Sequence, residues 1–186
     1  MNKKFRVQRV SSPDIPGVDC ILANYFVDNI TCIFVCVVYI LPASPISVYQ
    51  GYFDNICSVL SPESNILIGD YNIRDVTGTD FDFLSSTSIC HELYFFINFS
   101  NLKSLNFVRN TYGKILDLVL SNIVRIFVTR EHDSIVPEDV YHPALLAEFL
   151  YTKRIKNATK SQSMDYNFSK ANYEQLYRAI ESGNIS

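Results

Sequence analysis

Asn65-Ile66-Leu67-Ile68-Gly69-Asp70-Tyr71-Asn72 runs from an apolar stretch straight into an aspartate and an asparagine. Short apolar runs that stop at turn residues are the signature of buried strands. The reading therefore sets a carboxylate and an amide side by side at the rim of a sheet. An acid beside an amide at a strand end is what a water-activating hydrolase needs, although Gly-Asp turns are common and the tetrapeptide alone is only a pointer.

Upstream, Ile30 to Tyr39 is rich in β-branched residues and reads as a central strand, stopped at Pro42. Val18 to Val27 precedes it across Asp28-Asn29, a hairpin-type pair, and Phe5 to Val10 alternates weakly as an edge strand. Ser44-Pro45 reads as an N-cap followed by a first-turn proline. Tyr49, Tyr52, Phe53, Ile56, Val59 and Leu60 then recur at helical spacing, giving an amphipathic helix from about Pro45 to Leu60.

Downstream, a polar stretch from Arg74 to Asp80 leads to a helical zone over Phe81 to Phe99. Strands are expected at Leu105 to Val108, Ile115 to Ser121, Ile123 to Thr129 and Ala144 to Tyr151. Lys153, Arg154, Lys156 and Lys160 read as a basic linker, and Ser169 caps a short last helix bearing Tyr173, Leu176, Tyr177 and Ile180. The pattern is an α/β or α+β layered domain over residues 1–151, followed by a linker and short helix over 152–186.

With 186 residues, 48% of them hydrophobic, the chain can build one domain with a sizeable core. Thirteen Phe and 12 Tyr make that core largely aromatic. A formal net charge of −3 gives no global attraction to nucleic acid, so any such contact must be local. The five cysteines (Cys20, Cys32, Cys36, Cys57 and Cys90) have no paired close spacing and read as buried, reduced thiols. The longest apolar stretch, Ile30 to Leu41, is well short of the roughly 20 residues of a membrane helix. No signal segment follows the basic start, so a nuclear or cytoplasmic rather than secreted chain is expected.

Three further polar positions join Asp70 and Asn72. Tyr39 closes its apolar strand, Asp117 interrupts Ile115-Leu116-Asp117-Leu118-Val119-Leu120-Ser121, and His142 stands in Tyr141-His142-Pro143-Ala144-Leu145 before another strand. An unpaired carboxylate among apolar residues is costly, so Asp117 needs a partner.

Order and context of these segments resemble the endonuclease/exonuclease/phosphatase superfamily, and within it the endonuclease portion of non-LTR retrotransposon polyproteins. Val18-Asp19-Cys20, Tyr49-x-x-Tyr52-Phe53-Asp54-Asn55 and the tail Tyr166-Asn167-Phe168-Ser169-Lys170-Ala171-Asn172-Tyr173 are similar to such elements, the tail leading toward a reverse transcriptase. The resemblance implies a deoxyribonuclease-like β-sandwich flanked by helices. It also implies Mg²⁺-dependent hydrolysis of a phosphodiester in DNA. Asp70 is then the general base, Asn72 positions the water or the phosphate, His142 stabilises charge on the phosphate, Asp117 holds the His142 ring, and Tyr39 reaches for the phosphate.

The chain departs from the family pattern in two places. The first family strands, bearing an Asn and a metal-binding Glu, have no counterpart, and residues 1–30 contain no glutamate. Tyr141 stands where the family has an aspartate beside the histidine. Asp139 is the substitute ligand if 139–141 is extended, because both residues then face one side. The expectation is a domain lacking its first strands, with an apolar sheet edge exposed and its activity impaired. Two other readings stand beside the nuclease. One is an inactive remnant that binds nucleic acid weakly through its basic linker; the other is a small-substrate phosphatase.

Overall fold

The computed structural model describes residues 6–27, 31–73, 87–135 and 137–150. The Asp28-Asn29 turn, the stretch from 74 to 86 and the whole segment 152–186, with its basic linker and last helix, lie outside the described residues.

The strand that ends at Asp70 is central to the large sheet. β3 (Cys32–Ile40) pairs antiparallel with β2 (Val18–Phe26), which pairs with β1 (Arg6–Val10). Helix α1 (Ile46–Val59) then carries the chain over to β4 (Asn65–Asp70), which lies parallel to β3. A parallel neighbour requires such a crossover, because a tight turn can only reverse the chain. Helix α2 (Ser88–Phe99), β5 (Lys103–Ser104) and β6 (Asp117–Ser121) follow, giving a six-stranded sheet in the order β1-β2-β3-β4-β6-β5. β7 (Ile126–Arg130) and β8 (Leu145–Phe149) form a separate antiparallel pair.

Alternation along the strands sorts side chains onto two faces. Leu22, Phe34, Cys36, Val38, Ile40, Leu67, Leu118 and Leu120 share one buried cluster with Tyr49, Tyr52, Phe53 and Ile56 of α1 and Leu93, Phe96 and Ile97 of α2. The Phe53 and Phe96 rings stack at 4.5 Å between the helices. Ile33 and Ile66, one position out of phase, form a second cluster with Ile126, against which Val35, Ile68, Val128 and Phe149 pack. The architecture is therefore a mixed α/β sandwich, with helices on one face of the large sheet and the small sheet on the other.

Several expectations move. Ser44 is not the N-cap: Pro45, with an extended backbone, takes that position and makes no side-chain cap bond, while Ser44 Oγ donates to Leu41 O at 2.7 Å. Leu105 to Val108 is not a strand, because Asn106 Oδ1 accepts from Val108 N and turns the backbone away from a ladder. The third element after α2 starts at Ile126 rather than Ile123. Apolar surface is open on the sheet face, where Ile21 and Val37 are register partners on β2 and β3, and also on the edge strand β1, where Val7 is 58% exposed. The β1 edge itself carries Arg6, Gln8 and Arg9, charges and amides that discourage strand addition.

All five cysteines are free; Cys36 and Cys90 are buried as expected, whereas Cys20, Cys32 and Cys57 are only half-buried. Among the described residues, no helix is long and apolar enough to cross a membrane.

Candidate active site

β4 delivers Asp70 to the sheet rim because Gly69 lets it. A Cβ on Gly69 would lie 1.8 Å from Val38 O, so only glycine allows β4 to lie this close to β3 here. In register, Asp70 stands beside Tyr39 on β3 and beside Asp117 on β6. Three of the expected site residues thus come from neighbouring strands at one level of one face, the face opposite the helices.

Asn72 follows in the left-handed region (φ 51), which asparagine tolerates better than most residues. That conformation folds it back onto Asp70. Asn72 N donates to Asp70 Oδ1 at 2.9 Å, and Asn72 Nδ2 donates to Asp70 Oδ2 and to Ile40 O, each at 2.8 Å. Both carboxylate oxygens are therefore held by one residue. Burial raises the Asp70 pKa above the ordinary aspartate value. The Asn72 bonds oppose that shift, and the neighbouring Asp117 adds to it.

Asp117 does not interrupt a strand; it begins β6, so its carboxylate lies at the strand end, partly open and paired. Its Oδ2 is 3.1 Å from His142 Nδ1. An ionised carboxylate only accepts, which makes Nδ1 the donor and leaves Nε2 pointing elsewhere. Nε2 lies 3.8 Å from Asp70 Oδ2. Burial alone would lower the His142 pKa, but the bond and charge of Asp117, together with Asp70 and Asp139, raise it on balance. The ring is thus set to carry a proton between two carboxylates, with 40% of its side chain open to solvent.

His142 reaches this position from a loop, not a strand. Asp139 Oδ1 accepts from Tyr141 N at 2.6 Å and His142 N at 2.7 Å, closing a bend over 139–142. The extended course assumed for 139–141 is not found. These backbone bonds, from His142 and Tyr141, lower the Asp139 pKa and commit that oxygen to the turn. Among the described residues, no three His, Cys, Asp or Glu side chains are arranged to hold a metal ion. With Asp70 bound by Asn72, Asp117 by His142 and Asp139 by its own loop, the described donors do not form a magnesium cage.

Three supporting residues escaped the sequence reading. Tyr49 lies on the apolar face of α1, yet its hydroxyl donates to Tyr71 O at 3.0 Å, between the two key residues of the turn. Asn106, buried at 2% exposure, donates through Nδ2 to Asp117 O at 2.7 Å and fixes the start of β6. Asn110 Oδ1 accepts from Tyr112 N and Lys114 N and shapes the loop beside the site. A polar residue in an otherwise apolar or loop segment was the available signal, but its partner is a distant backbone group that no local pattern names.

No protein-family model matches the sequence, and no curated protein matches it. Among solved structures, the endonuclease domain of TRAS1, a telomere-specific non-LTR retrotransposon, superposes with a TM-score of 0.58 at 14% identity, over 80% of this chain and 81% of that one. At that identity the likeness is one of fold, and the chain has the mixed α/β fold of that endonuclease domain.

Proposed function

We propose that the chain is a phosphodiester hydrolase acting on DNA, a nicking endonuclease of retrotransposon type. The observation that carries this reading is the continuous line Asp117–His142–Asp70–Asn72 at one sheet rim, with contacts of 3.1, 3.8 and 2.8 Å. The shared fold of a retrotransposon endonuclease domain supports it.

In this reading Asp70 takes a proton from a water whose oxygen then bonds to phosphorus, while the bond from phosphorus to the leaving oxygen breaks and that oxygen takes a proton from solvent. Burial makes Asp70 a stronger base than a solvated carboxylate, and Asn72 holds it in one orientation. The His142 imidazolium presents Nε2–H to a phosphoryl oxygen as negative charge develops there. Asp117 fixes the tautomer and the plane of the ring. Tyr39, in register with Asp70 and 39% exposed, donates its hydroxyl to the same phosphate in this reading.

The test is nicking of supercoiled plasmid by the purified chain, with Mg²⁺ supplied and, in parallel, with chelator. Asp70→Ala and His142→Ala each lower nicking by about 100- to 10,000-fold. Absence of nicking, or nicking that survives both substitutions, rejects the reading.

The mechanism needs Asp70 ionised and His142 protonated, so the rate against pH is bell-shaped. Both limbs lie above the ordinary carboxylate and imidazole values of about 3.9 and 6.5. Asp117→Asn moves the alkaline limb down. The same link governs stability: the His142 contribution is complete below about pH 6.5 and is lost as pH rises through its raised folded value.

A further inference from the structure

The helix side of the molecule, away from the acid–imidazole line, carries an opening of its own. Helices α1 and α2 touch in step: Gln50 Nε2 donates to Glu92 Oε1 at 2.8 Å, the Phe53 and Phe96 rings stack at 4.5 Å, and Cys57 Sγ lies 3.5 Å from Ser100 Oγ. Each contact lies about one turn further along both helices, so the two run parallel and are held at both ends. Between them lies a groove of about 470 Å³, with the buried Phe53 and Phe96 as its floor and Phe95 and Phe99 in its wall.

Helix α2 is apolar on two sides. Cys90, Leu93, Phe96 and Ile97 are buried in the core, yet Phe95 and Phe99, one turn apart, are 65% and 83% exposed. A helix that is apolar all round is ordinarily covered all round. The fixed charge at this groove has one sign: Asp54 on α1 and Glu92 on α2 both line it, and neither helix contains a Lys or Arg. A second copy of the chain is a poor occupant. Glu92 lies one turn before Phe95 on the same side of α2, so seating those rings in another copy's groove brings a carboxylate onto an acidic rim.

We propose that the α1–α2 groove docks an amphipathic helix of a partner protein, one with apolar residues at i, i+4 and i+7 and Lys or Arg along their flank. Residues 50–57 and 92–99 each run about 10 Å, or two turns at about 1.5 Å per residue, which matches that spacing. The apolar anchors pack on Phe95 and Phe99, and the flanking cations meet Asp54 and Glu92. Asp70 and Asp117 lie on the opposite face of the sheet, so the docking surface stands independently of the nuclease reading.

The experiment is fluorescence anisotropy of a labelled helical peptide, with Leu at i, i+4 and i+7 and Lys beside them, titrated with the full chain. Two control peptides carry Ser for every Leu or Glu for every Lys. The Leu/Lys peptide binds, and each control binds weaker by about 10-fold or more. Phe95→Ala and Phe99→Ala each weaken binding about 10- to 150-fold while melting at the parent temperature, as suits exposed side chains. Asp54→Asn combined with Glu92→Gln weakens it several-fold and flattens its dependence on salt. Absence of binding, equal binding of the glutamate peptide, or phenylalanine variants that bind like the parent overturns the proposal. A dimer in sedimentation that Phe95→Ala dissociates also overturns it, because the groove then belongs to a second copy.

Discussion

The two faces of the large sheet are built from the same strands and differ in what covers them. On the helix side, Tyr49, Tyr52 and Phe34 are at most 1% exposed, and the cluster runs without a gap from β2 to β6. On the other side, the small sheet covers Ile33 and Ile66, but Ile21 and Val37 remain 58% and 48% open. The candidate site lies on this second face, where Asp70 and Asp117 can keep partial contact with water. A dry face carries stability and a half-open one can carry chemistry, because a carboxylate sealed among apolar residues gives up its charge.

That division breaks first under the largest perturbation. Tyr52→Ala on the closed face leaves a cavity and removes the Tyr52–Cys36 contact, and it costs about 3–5 kcal/mol in urea unfolding. A loss under 1 kcal/mol would mean that the helix face is not the stabilising one. Gly69→Ala strikes where the faces meet. Its methyl would collide with the β3 backbone, so the strands must part, at about 3 kcal/mol with loss of nicking.

Tyr49→Phe sharpens the comparison, because it changes one atom on the dry face and reads out on the other. Losing its bond to Tyr71 O costs about 1–2 kcal/mol. The rate falls several-fold while substrate affinity holds, since the Asp70–Asn72 turn loses its brace. Val37→Thr on the open face is the smallest change, within about 0.5 kcal/mol by thermal melting. A loss of 2 kcal/mol or more there would show that the face is covered in solution.

Much of this was readable from local pattern. Strand β4, the amphipathic helix from Tyr49 to Ile56 and the central strand through Val38 declare themselves by periodicity, because burying one face forces a period on the sequence. Candidates such as Asp70 and His142 were legible as polar residues next to strand ends. The bend at Asp139, the Asn106 brace and the Tyr49 hydroxyl were not. Each joins a side chain to a backbone group whose position depends on how distant segments pack.

The chain alone thus determined which segments become strands and helices, and that an acid and an amide leave β4 together, because alternation and turn chemistry act over a few residues. Only the folded molecule decided that Asp117 and His142, 25 residues apart, meet at 3.1 Å, and that His142 also faces Asp70. Strand register and the parallel crossover set those distances, and both are fixed by the packing of whole faces rather than by any local run.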